Sequence, residues 1–341
     1  MQTAAPLTRR RCMAGAGLLV LSAYLAPASA RPGTVRVSRP LLGTRVDIVA
    51  QGQLASRAAD LAMAEMARLE RLMTRYRPDS EVAALQRAAG RHPVPVSPET
   101  QAVLLQALAL SRESGGRFDV TIGAYDGWSF EPGRPRLPSH QERQQQAAFV
   151  DHRLLQIDPA AGQAQLMRPG MKLDLGGVAK LPILAAGMRV LRDHGLEGAM
   201  VNGGGDVLVT GQLDGRDWRI GLRDPVNPAG LLGTVALRDG VVASSGDYER
   251  SFVSNGRRYH HVLDPETGLP AQGVRGVAMV SSDVASVNGR GAMAMLMGPD
   301  AARPMLSGLH GVDSVLVDGQ GKHWHSSPAM AQRLVAQASA A

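Results

Sequence analysis

A single cysteine, Cys12, stands in 341 residues, so neither a disulfide framework nor a cysteine-rich metal cluster can be built from this chain. Aromatic residues make up only 4% of it, too few for a surface that stacks nucleic-acid bases. Strong excess charge is missing as well. The formal net charge is +7, and Arg9, Arg10 and Arg11 carry three of those charges. The remainder is modestly basic and excludes electrostatic capture of nucleic acid as the main activity. What is present is apolar material: 44% of residues are hydrophobic, ample for a core and too many for a disordered chain. The 39 glycines follow no G-X-Y period, which excludes collagen.

The first thirty residues read as a removable leader. Arg9–Arg11 form a basic region, 12–26 is an uncharged stretch rich in Ala, Gly and Leu, and Ala28-Ser29-Ala30 has the small-x-small pattern of a cleavage site. The apolar stretch is shorter than the roughly 20 residues of a membrane span. An arginine pair ahead of a weakly apolar stretch points to twin-arginine export and a periplasmic protein. Residues 31–341 then form one domain, since no repeat or linker interrupts 35–327.

Beyond the leader, strand and helix patterns mix. Residues 44–50 (TRVDIVA) alternate like a strand, and 54–76 reads as a helix with Leu54, Ala58, Leu61, Ala62, Leu69 and Leu72 on one face. Ser97-Pro98 starts a helix that Gly115-Gly116 ends, and Ser139 with Glu142 has the form of a capping box. Two short strands flank the turn at 159–162, and 178–194 is a helix stopped by Gly195. From 199 to 280 short strands alternate with Gly, Asp and Asn turns, 283–297 is helical, and 314–317 with 322–324 form a hairpin. Strands without strict βαβ repeats predict an α+β fold with mostly antiparallel sheets flanked by helices.

Three segments carry chemistry. KLDLGGVAK (172–180) runs a strand into two glycines and a helix start, where backbone N–H groups attract phosphate and Lys180 adds a cation. Asp174 sits at the strand end. An ordinary Gly-Gly turn explains the same residues. In RRYHHVLDPETGLP (257–270) the adjacent histidines point to opposite faces of a strand, so at most one enters a site. His261 and Asp264, three residues apart, have the form of a base and its orienter, although a plain Asp-Pro turn accounts for Asp264 equally. VASVNGRGAMAMLMG (284–298) reads as a methionine-rich core helix with Asn288 and Ala292 on one face.

Taken in order, LLGT (41–44), TRYRPDSE (74–81), GGRFDVT (115–121), LDLGGVAK (173–180), VNGGGDV (201–207), WRIGLRDP (218–225), SSGDYERSF (244–252) and YHHVLDPETG (259–268) resemble the ApbE-type FAD:protein FMN transferases. The resemblance covers nearly the whole chain after the leader. It implies that FAD is split and FMN linked by a phosphoester bond to a Thr of an acceptor protein, with AMP released. It also implies Mg²⁺ as cofactor. The acceptor it suggests is a membrane respiratory or redox flavoprotein, so this chain would work near the membrane without binding nucleic acid. Carried over by motif, Leu42, Tyr76, Phe118, Asp119, Asp174, Lys180 and Val262 would line the FAD site. Gly177 and Asn288 would stand at the metal, and His261 with Asp264 would act as acid/base and orienter. The family pattern has Asp and, four residues on, Thr as metal ligands, where this chain has Asn288 and Ala292. A neutral oxygen and a methyl group make a poor seat for a hard cation. The departures leave two other readings open: an FAD-binding accessory protein without catalysis, or an FAD pyrophosphatase.

Overall fold

The computed structural model of the protein describes residues 33–227 and 229–338, so the predicted leader lies outside the described residues. The strand expected at 44–50 is β2 (Thr44–Gln51), paired with β1 (Thr34–Leu41). Helices α1 (Ala55–Met73), α2 (Glu81–Ala88), α3 (Pro98–Glu113) and α4 (His140–Ala147) follow, with the short strand β3 (Val94–Pro95) among them. Ser97 caps α3, and Ser139 with Glu142 closes the predicted capping box on α4. The hairpin β4 (Leu155–Asp158) and β5 (Gln163–Leu166) leads to α5 (Lys180–Asp193). Then come β6 (Gly198–Gly203), β7 (Asp206–Gly211), β8 (Trp218–Arg223), β9 (Leu231–Leu237), β10 (Gly240–Gly246), β11 (Ser251–Ser254), β12 (Arg257–His260) and β13 (Val274–Ser281). Helix α6 (Arg290–Ser307), the hairpin β14 (Val312–Asp318) and β15 (His323–His325), and α7 (Pro328–Ala338) complete the chain.

Eight strands form one sheet in the order β1-β2-β6-β7-β10-β13-β14-β15, every neighbouring pair antiparallel. The predicted α+β architecture with antiparallel sheets is the one observed. Both faces of this sheet are covered, which explains why its central strands read as near-continuous apolar runs. In β6, Ala199 and Val201 join the larger core beneath α1, α5 and α6, while Met200 joins a second core under β8, β9 and α7. β10 divides in the same way, Val241 and Ala243 to one side and Val242 to the other. The period of two sorts each strand between two cores.

Two elements depart from the sequence reading. In α1 the expected stripe holds at Ala58, Ala62 and Leu69, which are buried, and at Leu72, which packs against the core, but Leu54 and Leu61 are exposed, and Ala59, Met63 and Met66 join the buried face. The helix lies close on α5, where Gly187 makes room for Met66: a Cβ there would come within 2.7 Å of its sulfur. Small residues therefore widen the contact face toward α5. The helix expected over 283–297 begins only at Arg290, because Gly289 adopts a left-handed φ of 74°. The preceding residues form a turn held by Asp283, whose carboxylate accepts the N–H groups of Ala285 and Ser286. Asn288 therefore sits in that turn and shares no helical face with Ala292.

Candidate functional site

The site grows from the tight turn between β6 and β7. Gly204 has a φ of +64°, and a Cβ there would come 2.7 Å from Thr44 Oγ1, so only glycine fits. The turn delivers Asp206, a buried carboxylate, at the start of β7. Its Oδ1 accepts the Ser244 N–H at 3.0 Å, and its Oδ2 lies 2.7 Å from Lys180 Nζ at the first residue of α5. Burial opposes the Lys180 ammonium, but contact with Asp206 and the nearby Glu249 hold its pKa above the ordinary lysine value.

Glu249 and Arg250 follow β10 and reach the same place. Glu249 is open to solvent on one side and hemmed in by protein on the others. Desolvation pushes its pKa up against the pull of Lys180 and Arg223. Arg223 in turn lies over the Tyr248 ring, 5.6 Å from its centre.

The two adjacent histidines lie in different surroundings. His260 is buried with Nε2 2.9 Å from the Ala271 carbonyl, and its Nδ1 accepts the Val262 N–H at 3.3 Å. His261, one residue beyond β12, falls within electrostatic reach of Arg250, Lys180 and Asp174. Burial, reinforced by Arg250, His260 and Lys180, pushes its pKa down to about 4. Its Nδ1 is buried without a hydrogen-bond partner.

The orienting pair expected of His261 and Asp264 is therefore not formed. Asp264 Oδ1 accepts from the Glu266 N–H, the Thr267 N–H and the Thr267 hydroxyl, which makes it the organiser of the Asp-Pro turn. The Val262 side chain packs in the main core.

Around the second wall, Asp174 Oδ1 accepts the Gly176 N–H at 2.9 Å, and Oδ2 pairs with Arg75 at 3.0 Å. Arg75 also donates to the Gly123 carbonyl. Gly177 rests against Phe118, where a Cβ would come 3.3 Å from the ring. Tyr76 is 76% exposed at the rim. Leu42 holds a left-handed φ of 57°, its N–H donating to Glu70 Oε1 at 2.6 Å. Asp119 serves the fold: its carboxylate accepts the Thr121 N–H and hydroxyl and the His152 N–H, with His152 Nδ1 at 3.1 Å. Those bonds occupy its acceptors. Asp119→Ala should lower stability by about 2–3 kcal/mol in urea denaturation, because buried donors lose their partner. An undiminished midpoint would contradict this structural role.

Sequence reasoning passed over Glu249, Arg250 and Arg75, although all three lie inside motifs it used. For Glu249 and Arg250 the usable signal was the run of charges at Asp247, Glu249 and Arg250 just after a β-strand.

The residues at the expected metal seat do not fit a hard divalent cation. Asn288 turns its Nδ2 inward, donating to the Val178 carbonyl at 2.8 Å and to Gln106 Oε1 at 2.7 Å. Ala292 offers no oxygen, and Asp283 and Ser286 are occupied within their own turn. Among the described residues, no three His, Cys, Asp or Glu side chains group as a metal site would need.

Residues 42–316 match the sequence profile of the ApbE family. The chain is 31% identical over 268 residues to an FAD:protein FMN transferase of Treponema pallidum, covering 73% of each chain. It is 34% identical over 233 residues to one of Klebsiella pneumoniae, covering 67% of this chain and 71% of that one. Among solved structures, the ApbE protein of Thermotoga maritima superposes with a TM-score of 0.80 at 28% identity, over 88% of this chain and 99% of the other. The flavin transferase ApbE of Vibrio cholerae does so with a TM-score of 0.77 at 25% identity and the same coverage.

Proposed function

Because this chain belongs to the ApbE family, we propose that it transfers FMN from FAD to a Thr hydroxyl of a protein acceptor and releases AMP. The observation that carries this reading is an imidazole whose Nδ1 is buried without a partner, His261, within electrostatic reach of Lys180, Arg250 and Asp174. At neutral pH His261 is free to accept the proton of the attacking hydroxyl. The hydroxyl oxygen bonds to the FMN phosphorus. The bond from that phosphorus to the bridging oxygen breaks, and AMP departs with the oxygen and its electron pair. Lys180 supplies fixed positive charge against the phosphate oxygens, and the N-terminus of α5 adds to it. Asp206 holds the ammonium in place, while Arg75 pairs with Asp174 and Asp174 holds the Gly176 N–H.

A second reading is favoured by one observation. Asn288 and Ala292 are unsuited to the Mg²⁺ implied by the family resemblance, which fits a protein that binds FAD without turning it over. One assay separates the readings. The chain is incubated with FAD and a Thr-bearing acceptor, with and without Mg²⁺, then scored for AMP and for flavin covalently bound to the acceptor. Bound flavin establishes transfer, AMP alone indicates a pyrophosphatase, and tight FAD with neither product indicates the accessory role. The leader at 1–30 supports a periplasmic place of action on a membrane-associated flavoprotein. Fractionation of cells carrying an Arg9→Lys/Arg10→Lys variant tests it, with retention in the cytoplasm as the expected result.

A further inference from the structure

Asn288 is 2% exposed, in the turn that precedes α6. Its two inward contacts fix its orientation. A backbone carbonyl can only accept, so the atom facing Val178 O must be the amide nitrogen. Gln106 is oriented from its other end, since its Nε2 donates to the Ala285 carbonyl at 3.4 Å and leaves Oε1 toward Asn288. One amide thus ties together the backbone after the Gly176-Gly177 turn, helix α3 and the turn at 285–288. The Arg290–Glu113 ion pair adds a second link between the same two elements, α3 and the start of α6. The Gly177 carbonyl borders the spot, 3.6 Å from where a Gly289 Cβ would lie.

A carboxylate in this position would set its oxygen at the distance now bridged by an N–H, facing a carbonyl oxygen and an amide oxygen with no donor between them. Such a cluster of acceptors holds together only around a cation or a proton. The amide needs neither. We infer that Asn288 takes the place of a divalent cation as the tie between the 176–178 turn, α3 and the approach to α6, so that the cleft forms and takes up FAD without divalent metal. The choice of FAD as ligand rests on the function proposed above. The tie itself rests on the geometry alone.

The test measures FAD binding to the full chain by fluorescence, in chelator and in millimolar Mg²⁺, together with the melting temperature of the free protein. The wild type should bind FAD with affinities within about twofold of each other in the two conditions. Its melting temperature should not move between them. Asn288→Asp in chelator should melt lower by about 5 °C or more, and Mg²⁺ should restore much of that loss. Asn288→Ala, which loses the tie without gaining a charge, should melt lower in both conditions alike. Wild-type affinity falling about tenfold or more in chelator would overturn the inference. So would a wild-type melting temperature raised by Mg²⁺, or an Asn288→Asp protein indifferent to Mg²⁺. If FAD binds in neither condition, the proposed function fails, and the melting measurements still decide whether the amide replaces the cation.

Discussion

Lys180→Met is expected to destabilise the protein by about 2–4 kcal/mol in chemical denaturation and to reduce FAD affinity at least about tenfold. The reason lies with the partner. Asp206 is a buried carboxylate whose Oδ2 contacts the Lys180 ammonium at 2.7 Å, while its other oxygen accepts only one backbone N–H. Removing the ammonium leaves that charge in place with its main compensation gone, and this costs more than the pair contributes net. The end of the lysine side chain is partly open, which places the expected loss below that of a fully enclosed pair. Adding Asp206→Asn to Lys180→Met should therefore recover most of the stability, since the neutral amide keeps an acceptor for the Ser244 N–H. It should not recover FAD affinity, because the cation for the phosphates is still missing. Recovery of both would show that Lys180 holds the fold and has no part in binding.

The second large effect concerns His261. Its replacement by Asn should lower the transfer rate by about 10²–10⁴-fold, the range typical of losing a general base, while FAD affinity changes by no more than a few fold. The pH dependence is distinctive. Burial holds the imidazole pKa down to about 4, so the base is competent above that value. The wild-type rate should rise through pH 4–5 and stay level through 6.5, where an exposed histidine would titrate. A limb centred near 6.5 would contradict the burial described here. Stability follows the same shift. The folded pKa lies below the unfolded value of 6.5, so the unfolded state binds the proton first as pH falls. The stability that comes from keeping His261 neutral is complete above 6.5 and is lost between 6.5 and about 4. His260, also lowered by burial, adds to that slope. His261→Asn should show a shallower decline over the same window, measured as melting temperature against pH.

Much of the architecture was legible from local patterns. Alternation in 44–50, the Ser97-Pro98 and Ser139–Glu142 starts, the Lys180 helix and the run of short strands after 198 all appear where the periodicities put them. A period of two or of 3.6 is written within a few neighbouring residues, and so is a cap.

The duties of the carboxylates were not legible in this way. Asp119 is consumed by His152, 33 residues away, and Asp174 by Arg75, 99 residues away. Nothing near either aspartate in the chain distinguishes a fold-holding acceptor from a ligand-binding one. The close fit of α1 on α5 was likewise not legible: Gly187 admits Met66, while Leu61 of the expected stripe is exposed. Asn288 was moved off its expected helix by a single left-handed glycine.

The amino-acid sequence by itself determined the strand and helix types, the antiparallel α+β class and the family. Only the tertiary structure decided which charges compensate one another, that Asp264 serves a turn and not the imidazole, and that the Asn288 amide donates to the Val178 carbonyl and to Gln106. Periodicity is a short-range property of the chain. Satisfying a buried charge or hydrogen bond depends on whichever distant segment the fold brings within about 3 Å.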